Sequence, residues 1–423
     1  HYREENLVDL LRRWMTAVVS LVVVVSMVQA DWPQWHGPSR DNKSTETGLL
    51  KSWPEAGPKL LWSMDGLGTG WSTVSIADGT IYTTGMNRRR QGWLFAFDLH
   101  GKLRWKQTYG PEWGRSFAGA RCTPTVRDGL VYVISGTGQV ACFEAASGQR
   151  RWQVDPFTEF DGRYGSWGIA ESPLIVDDKV IFTVGGKKAT VVALDRHTGN
   201  VVWASGSVGD NSAYCSPIVV PCTGRQVIVT MLAESVIGVD AADGHILWRD
   251  PYTDYQSTTK NIKPVTPVAS GRRVYFTGGY DTGGTLLELS TDGSSFTRKW
   301  ADTTLDNHHG GVILIDGYLY GANWKGNGDG DWVCLDWETG KVMYEEDWYC
   351  KGSTTYADGM LYCYEEKRGN VGLVRPTPDG FEVVSSFQIT EGDGQHWAHP
   401  VVCDGVLYVR HGDVLMAFDV RAR

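Results

Sequence analysis

An all-β ring of eight four-stranded blades, an eight-bladed β-propeller closed by strands from both termini, is the fold class this sequence predicts. Three observations predict it. An apolar run, a tight turn and a second run ending on an aromatic residue recur along the chain, as in ALDRHTGNVVW, which ends at Trp203. A second unit sits between these copies and repeats eight times, at intervals of 42–50 residues. After its last copy one strand remains, VLMAFDV, while PKLLWSMDG around Trp62 lies unclaimed near the other end. A fixed period of this length marks a repeat architecture, so 423 residues make one ring rather than several domains.

The elements follow in chain order. Arg12 and Arg13 precede an apolar run from Met15 to Val28, and Val28-Gln29-Ala30 precedes Asp31. A basic flank, a short apolar stretch and small residues before the cut read as a secretory signal over residues 1–30, against an uncleaved anchor. That places the protein outside the cytoplasm, periplasmic or extracellular, with no stable membrane span after cleavage. Residues 31–57 read as a leader packing on the propeller, and 58–423 as the propeller itself.

The eight hairpins read VSIADGTIYTT, PTVRDGLVYVI, PLIVDDKVIFT, CTGRQVIVT, VASGRRVYFT, VILIDGYLYG, TTYADGMLYCY and PVVCDGVLYV. Asp-Gly between apolar runs signals a two-residue hairpin, because glycine accepts the positive φ of a type I′ turn. The alternating unit supplies two outer strands per blade, ending on Trp62, Trp105, Trp152, Trp203, Trp248 and Trp300, with weaker copies ending at Tyr344 and Phe387. Four strands per unit make a blade, and joining the two ends in one blade removes the open edge.

A net charge of −9 leaves no basic stripe to neutralise phosphates, so nucleic acid is excluded as a partner. Arg88-Arg89-Arg90 and Lys187-Lys188 read as solvated loop charge. Eight cysteines in an exported chain invite disulfides. Cys142 and Cys334, however, occupy positions where other repeats have a small buried residue, so most read as strand thiols. Cys215–Cys222 is the pair retained as a disulfide candidate.

The ALDxxTGxxxW unit resembles the tryptophan-docking repeat of the PQQ-like propeller superfamily, which includes quinoprotein alcohol dehydrogenases and BamB-type propellers. The resemblance covers residues 58–423, and the leader Asp31–Pro38, DWPQWHGP, is similar to that of exported PQQ-like repeat proteins. It implies that each outer tryptophan packs between blades against the glycine turn of the next repeat. ALDRHTGNVVW is then a structural motif rather than a cofactor site.

Function must come from what interrupts the repeat. The blade-to-blade loops and the loops between second and third strands open on one face. They carry Trp71, Trp113, Trp167, Trp324, Trp348 and Trp397, with Arg115, Arg121, Tyr164, Glu171, Asn211, Tyr214, Asn307, His308, His309, Lys351, His396 and His399. Aromatic faces with a few polar groups suit a flat polar molecule or a sugar. Loop plugs that bury their own segments are the competing reading, although Trp113 is taken as a surface residue. Ahead of the innermost strands stand Thr73, Thr123, Ser172, Ser216, Thr266, Gly311, Ser353 and His399, a ring of small groups that His399 interrupts. Glu171 and His399 are the catalytic candidates, joined by His308 and His309.

No metal site is assigned. Asn327-Gly-Asp329-Gly-Asp331 resembles the start of a calcium loop with Glu338 at the twelfth position, but Trp332 stands where glycine is required. Two function classes remain. One is a monomeric, non-catalytic binding or assembly scaffold of BamB-like type, taking a protein, glycan or small-molecule ligand on the loop face. The alternative is a PQQ- and calcium-dependent quinoprotein alcohol or sugar dehydrogenase. The vicinal cysteines, long insertions and acidic-amide set of such enzymes are not found, which favours the scaffold.

Overall fold

The computed structural model describes residues 31–252 and 262–422, and every structural statement concerns these residues. The candidate signal at 1–30 lies outside them. No described helix is long and apolar enough to cross a membrane.

Eight antiparallel sheets form the ring. The first seven blades span residues 75–111, 125–154, 174–204, 218–250, 268–302, 312–346 and 352–388, and the eighth joins residues 401–419 to Lys59–Met64. The expected closure is present, with Trp62 paired opposite Ala417. The five Asp-Gly hairpins use the expected turn, with both φ values positive, 48° and 65° at Asp78-Gly79, whereas Asp177-Asp178, Thr223-Gly224 and Gly271-Arg272 each have one positive φ.

The outer tryptophans bridge the blades. The indole N–H of Trp62 donates to Leu99 O at 2.9 Å, Trp105 to Ala145 O at 2.9 Å and Trp152 to Arg196 O at 3.0 Å. Trp203, Trp248 and Trp300 continue the series onto Ala241 O, Gly293 O and Trp337 O at 3.1–3.2 Å. Each of these acceptors belongs to the next blade. A Cβ at Gly244 would lie 2.4 Å from the Trp203 ring, so this turn glycine is set by the neighbouring blade's tryptophan. Where the eighth blade's outer turn is interrupted by the chain ends, Gly57 takes that place, and a Cβ there would lie 2.6 Å from Phe387.

All eight cysteines are free thiols, so the Cys215–Cys222 candidate does not form. Cys142 and Cys334 are fully buried in strands that leave room for a small side chain. The calcium-loop resemblance also fails. Glu338 is engaged by Arg273 at 2.6 Å, and Asp331 by Lys325 at 2.5 Å.

The leader enters the central channel and turns back inside it. Trp32 pairs with Ile76 through two backbone hydrogen bonds of 2.8 Å. The reversal uses positive φ at His36, Gly37, Arg40 and Asn42. The chain then leaves alongside the seventh blade, where Lys43–Ser44 pairs in parallel with Tyr356 and Ala357. Inside the channel the Arg40 guanidinium donates to Pro217 O at 2.9 Å, to Ser172 O at 3.4 Å and to Pro173 O.

Candidate functional site

The residues heading the innermost strands form a hydrogen-bonded collar. Thr73 N–H donates to the Thr123 hydroxyl, Thr123 N–H to Ser172 and Ser172 N–H to Ser216, at 2.9–3.2 Å. Above this collar, on the face of the blade-to-blade loops, lies a cleft of about 430 Å³. Its floor is Trp35, at the tip of the leader, whose indole N–H donates to the Thr266 hydroxyl at 2.9 Å.

Eight of the expected face residues line the cleft together: Trp71, Arg121, Trp167, Tyr214, His308, His309, Trp397 and His399. The Trp71 and Trp397 rings meet at 5.0 Å, and the Arg121 guanidinium lies 5.0 Å over Trp71. Burial lowers the Arg121 pKa to about 10, so it stays cationic at neutral pH.

The other expected residues lie outside the lining. Trp113 is buried, not exposed as expected. It packs over Gly136 and Gly168 and donates to Ser116 O at 3.0 Å, and Arg115 stands over its outer side. Trp324 backs the wall behind Tyr280 at 4.7 Å, while Trp348 packs against Trp332 and Phe381 between the sixth and seventh blades. Asn211 gives its carbonyl to Ala233 N–H, and Tyr164 stacks edge-on to Trp113. His396 is sandwiched on His411 with ring centres 3.7 Å apart and takes the Tyr364 hydroxyl at 2.5 Å. The Asn307 amide closes its own loop onto Gly311 O and Ala322 O.

Both catalytic candidates are buried and engaged by backbone or ring partners. Glu171 is buried behind the collar with both carboxyl oxygens on Thr183 N–H, at 3.0 and 3.1 Å. Burial raises its pKa well above the ordinary range. His399 turns one nitrogen to His309 O at 2.7 Å and the other to His36 at 3.2 Å. A carbonyl only accepts, so the His399 proton sits on Nε2 and its Nδ1 accepts from His36. Burial lowers the His399 pKa to about 4 and holds His36 well below its usual value, so both rings are neutral.

Several lining residues were not legible in the sequence: Trp35, Phe117, Tyr280, Gln395 and Glu366. Trp35 was visible as part of the leader, but nothing local says that the leader threads the channel. Glu366 follows Glu365, whose carboxylate is spent on the turn amides of Lys367, Arg368 and Asn370. Glu366 itself is buried, pairs with Lys351 at 2.5 Å and approaches His309 at 3.3 Å.

The described residues thus form an eight-bladed ring with a plugged channel and an aromatic cleft over the plug. The chain belongs to the PQQ-like, BamB-type propeller family: a family model described as outer membrane protein assembly factor BamB matches residues 47–156 and 90–346. It is 34% identical over 143 residues to the quinohemoprotein alcohol dehydrogenase ADH-IIG of Pseudomonas putida, covering 31% of this chain and 19% of that protein. The curated relatives it matches are covered over only 19–39% of their length. Among solved structures, BamB from Moraxella catarrhalis superposes with a TM-score of 0.63 at 15% identity, over 86% of this chain and 99% of that one. Quinohemoprotein alcohol dehydrogenase from Comamonas testosteroni gives 0.65 at 15% identity, over 93% and 81%. At such identities the superpositions bear on fold alone.

Proposed function

We propose that this protein is an exported, non-catalytic binding propeller whose cleft holds a flat, ring-shaped polar ligand of carbohydrate type. The observation that carries the reading is the cleft itself, with Trp35 as floor and Trp71, Trp167 and Trp397 as walls. Its volume of about 430 Å³ falls within the roughly 300–1,000 Å³ of small-molecule sites. Indole faces stack on the apolar faces of a sugar ring, while Arg121, Gln395 and Asn327 in the same lining carry hydrogen-bonding groups suited to ring hydroxyls. Export rests on the sequence of residues 1–30 and on the BamB-type family.

The dehydrogenase reading has a different chemical demand. PQQ brings three carboxylates, and its calcium ion takes oxygen ligands. Among the described lining residues Arg121 is the one permanent cation and Glu366 the one carboxylate, already paired with Lys351. Glu171, the base that reading required, is turned away behind the collar. This donor set does not fit PQQ with calcium.

Titration of tryptophan fluorescence and calorimetry with mono- and oligosaccharides test the proposal, with PQQ plus Ca²⁺ and a dye-reduction assay in parallel. A saturable sugar signal that Trp71→Ala or Trp397→Ala abolishes is expected. Stoichiometric PQQ binding with alcohol-dependent dye reduction would overturn it.

A further inference from the structure

In the cleft wall, His308, His309 and Glu366 each offer one ligand atom, and the three atoms lie within 4.8 Å of one another. We propose that they form a binding site for a divalent first-row transition ion, with its open coordination positions facing the cleft. Nothing in the proposal depends on which organic ligand the cleft takes.

The geometry of the pair at its centre carries the argument. His309 Nε2 and Glu366 Oε2 approach to 3.3 Å without forming a hydrogen bond, and both atoms are buried with no other hydrogen-bond partner. Two buried polar atoms left facing each other are costly, and a shared cation relieves both at once. Ligands bound at about 2.0–2.2 Å stand about 3–3.5 Å apart around one ion, which is the separation this pair already has. His308 offers the third ligand atom, within 4.8 Å of the other two.

Supporting contacts hold the ligands as metal sites require. Lys351 grips the other carboxyl oxygen, Glu366 Oε1, at 2.5 Å, and Gly328 N–H reaches the same oxygen at 3.2 Å. The Tyr280 hydroxyl meets His308 Nε2 at 2.9 Å, which leaves Nδ1 as the ring's coordinating nitrogen. Two imidazoles with one carboxylate select zinc, iron(II), cobalt(II) or nickel over magnesium and calcium, which prefer all-oxygen sites. Three protein ligands leave at least one position for water or a cleft ligand. A purely structural Lys351–Glu366 ion pair accounts for Oε1 but not for Oε2.

The test uses tag-free, chelator-stripped protein titrated with Co²⁺ in visible absorption and with Zn²⁺ in calorimetry. One ion per chain is expected, with a cobalt d–d spectrum that zinc abolishes and Ca²⁺ does not. Glu366→Gln and His309→Ala should each weaken binding by more than the roughly 10–100-fold typical of supporting residues. His411→Ala, in the separate His396–His411 stack, should leave it unchanged. Should Glu366→Gln fail to fold, His308→Ala, on the cleft surface, carries the same expectation. Failure to bind stoichiometrically, binding retained in Glu366→Gln and His309→Ala, loss in His411→Ala, or displacement by Ca²⁺ would each overturn the site. A sugar titration of the stripped protein keeps this outcome separate from that of the cleft's organic ligand.

Discussion

Replacing Arg40 by methionine tests whether the leader is an integral plug or a segment laid on the ring. The substitution keeps an unbranched apolar stem and removes the guanidinium, which is 5% exposed. Lost with it are the bonds to Pro217 O at 2.9 Å, to Ser172 O and Pro173 O, and to Gln34 Oε1 at 2.9 Å. Hydrogen bonds from a charged donor contribute roughly 1.5–3 kcal/mol each, and stripping the partner from buried charged or polar groups costs about 3–5 kcal/mol in total. At roughly 2.1 cal/mol/K of unfolding entropy per residue, a chain of 423 residues then melts about 3–6 °C lower. Glu171→Gln is the internal control. Burial pushes its carboxyl well above the ordinary range, and the isosteric amide keeps an oxygen to accept from Thr183 N–H, so stability should shift by under about 1 kcal/mol. Calorimetric melting and hydrogen-exchange mass spectrometry read both effects, with faster exchange expected first in residues 31–45. An unchanged midpoint for Arg40→Met, or exchange that rises evenly over all blades, would refute the plug.

Two further outcomes are expected. Trp203→Ala removes a blade-bridging indole and should cost about 3–5 kcal/mol in denaturant unfolding, while Trp397→Ala at the open cleft costs roughly 1 kcal/mol or less. Equal shifts would end the division into docking and cleft tryptophans. Glu112 is buried, accepts the Tyr109 hydroxyl and Gly136 N–H, and has its pKa raised by burial to about 7. A carboxyl raised on folding binds its proton more tightly in the native state. Its contribution to stability therefore falls as pH rises from about 4.5 to about 7, by about 3 kcal/mol. Glu112→Gln should flatten that part of the pH–stability curve, and an unaltered slope would show that Glu112 does not titrate there.

The ring was legible because its determinants are local and repeated. An Asp-Gly pair fixes five of the eight hairpins by its own φ requirement, and an outer tryptophan marks six of the eight blades whatever surrounds it. The cleft is assembled from separate loops and one leader tip, so its membership depends on the depth at which each loop meets the ring. Trp113 illustrates the difficulty. It shares residue type and loop class with Trp71, but the bare backbone at Gly136 lies against its Cβ and that at Gly168 against its ring, and the side chain is buried outside the cleft. Glu366 was invisible for the opposite reason: beside the turn-capping Glu365 it reads as one more exposed loop acid, and only folding brings Lys351 and His309 to it.

The leader also changes how the ring behaves as a cooperative system. A repeat array held by neighbour contacts alone behaves like a one-dimensional chain, in which one unit can open while distant units stay shut. Here one short segment bonds to Ile76 of the first blade and Val126 of the second. It goes on to Pro173, Pro217 and Thr266 in the third, fourth and fifth. It then reaches Tyr356 in the seventh and His399 in the eighth, with His36 beside Gly311 of the sixth. Every blade is thus wired to a common axle, and opening any one of them pulls on the contacts of all the others. Such global coupling turns a sequential fraying into an all-or-none transition, so slowly exchanging amides in opposite blades should lose protection at one shared rate.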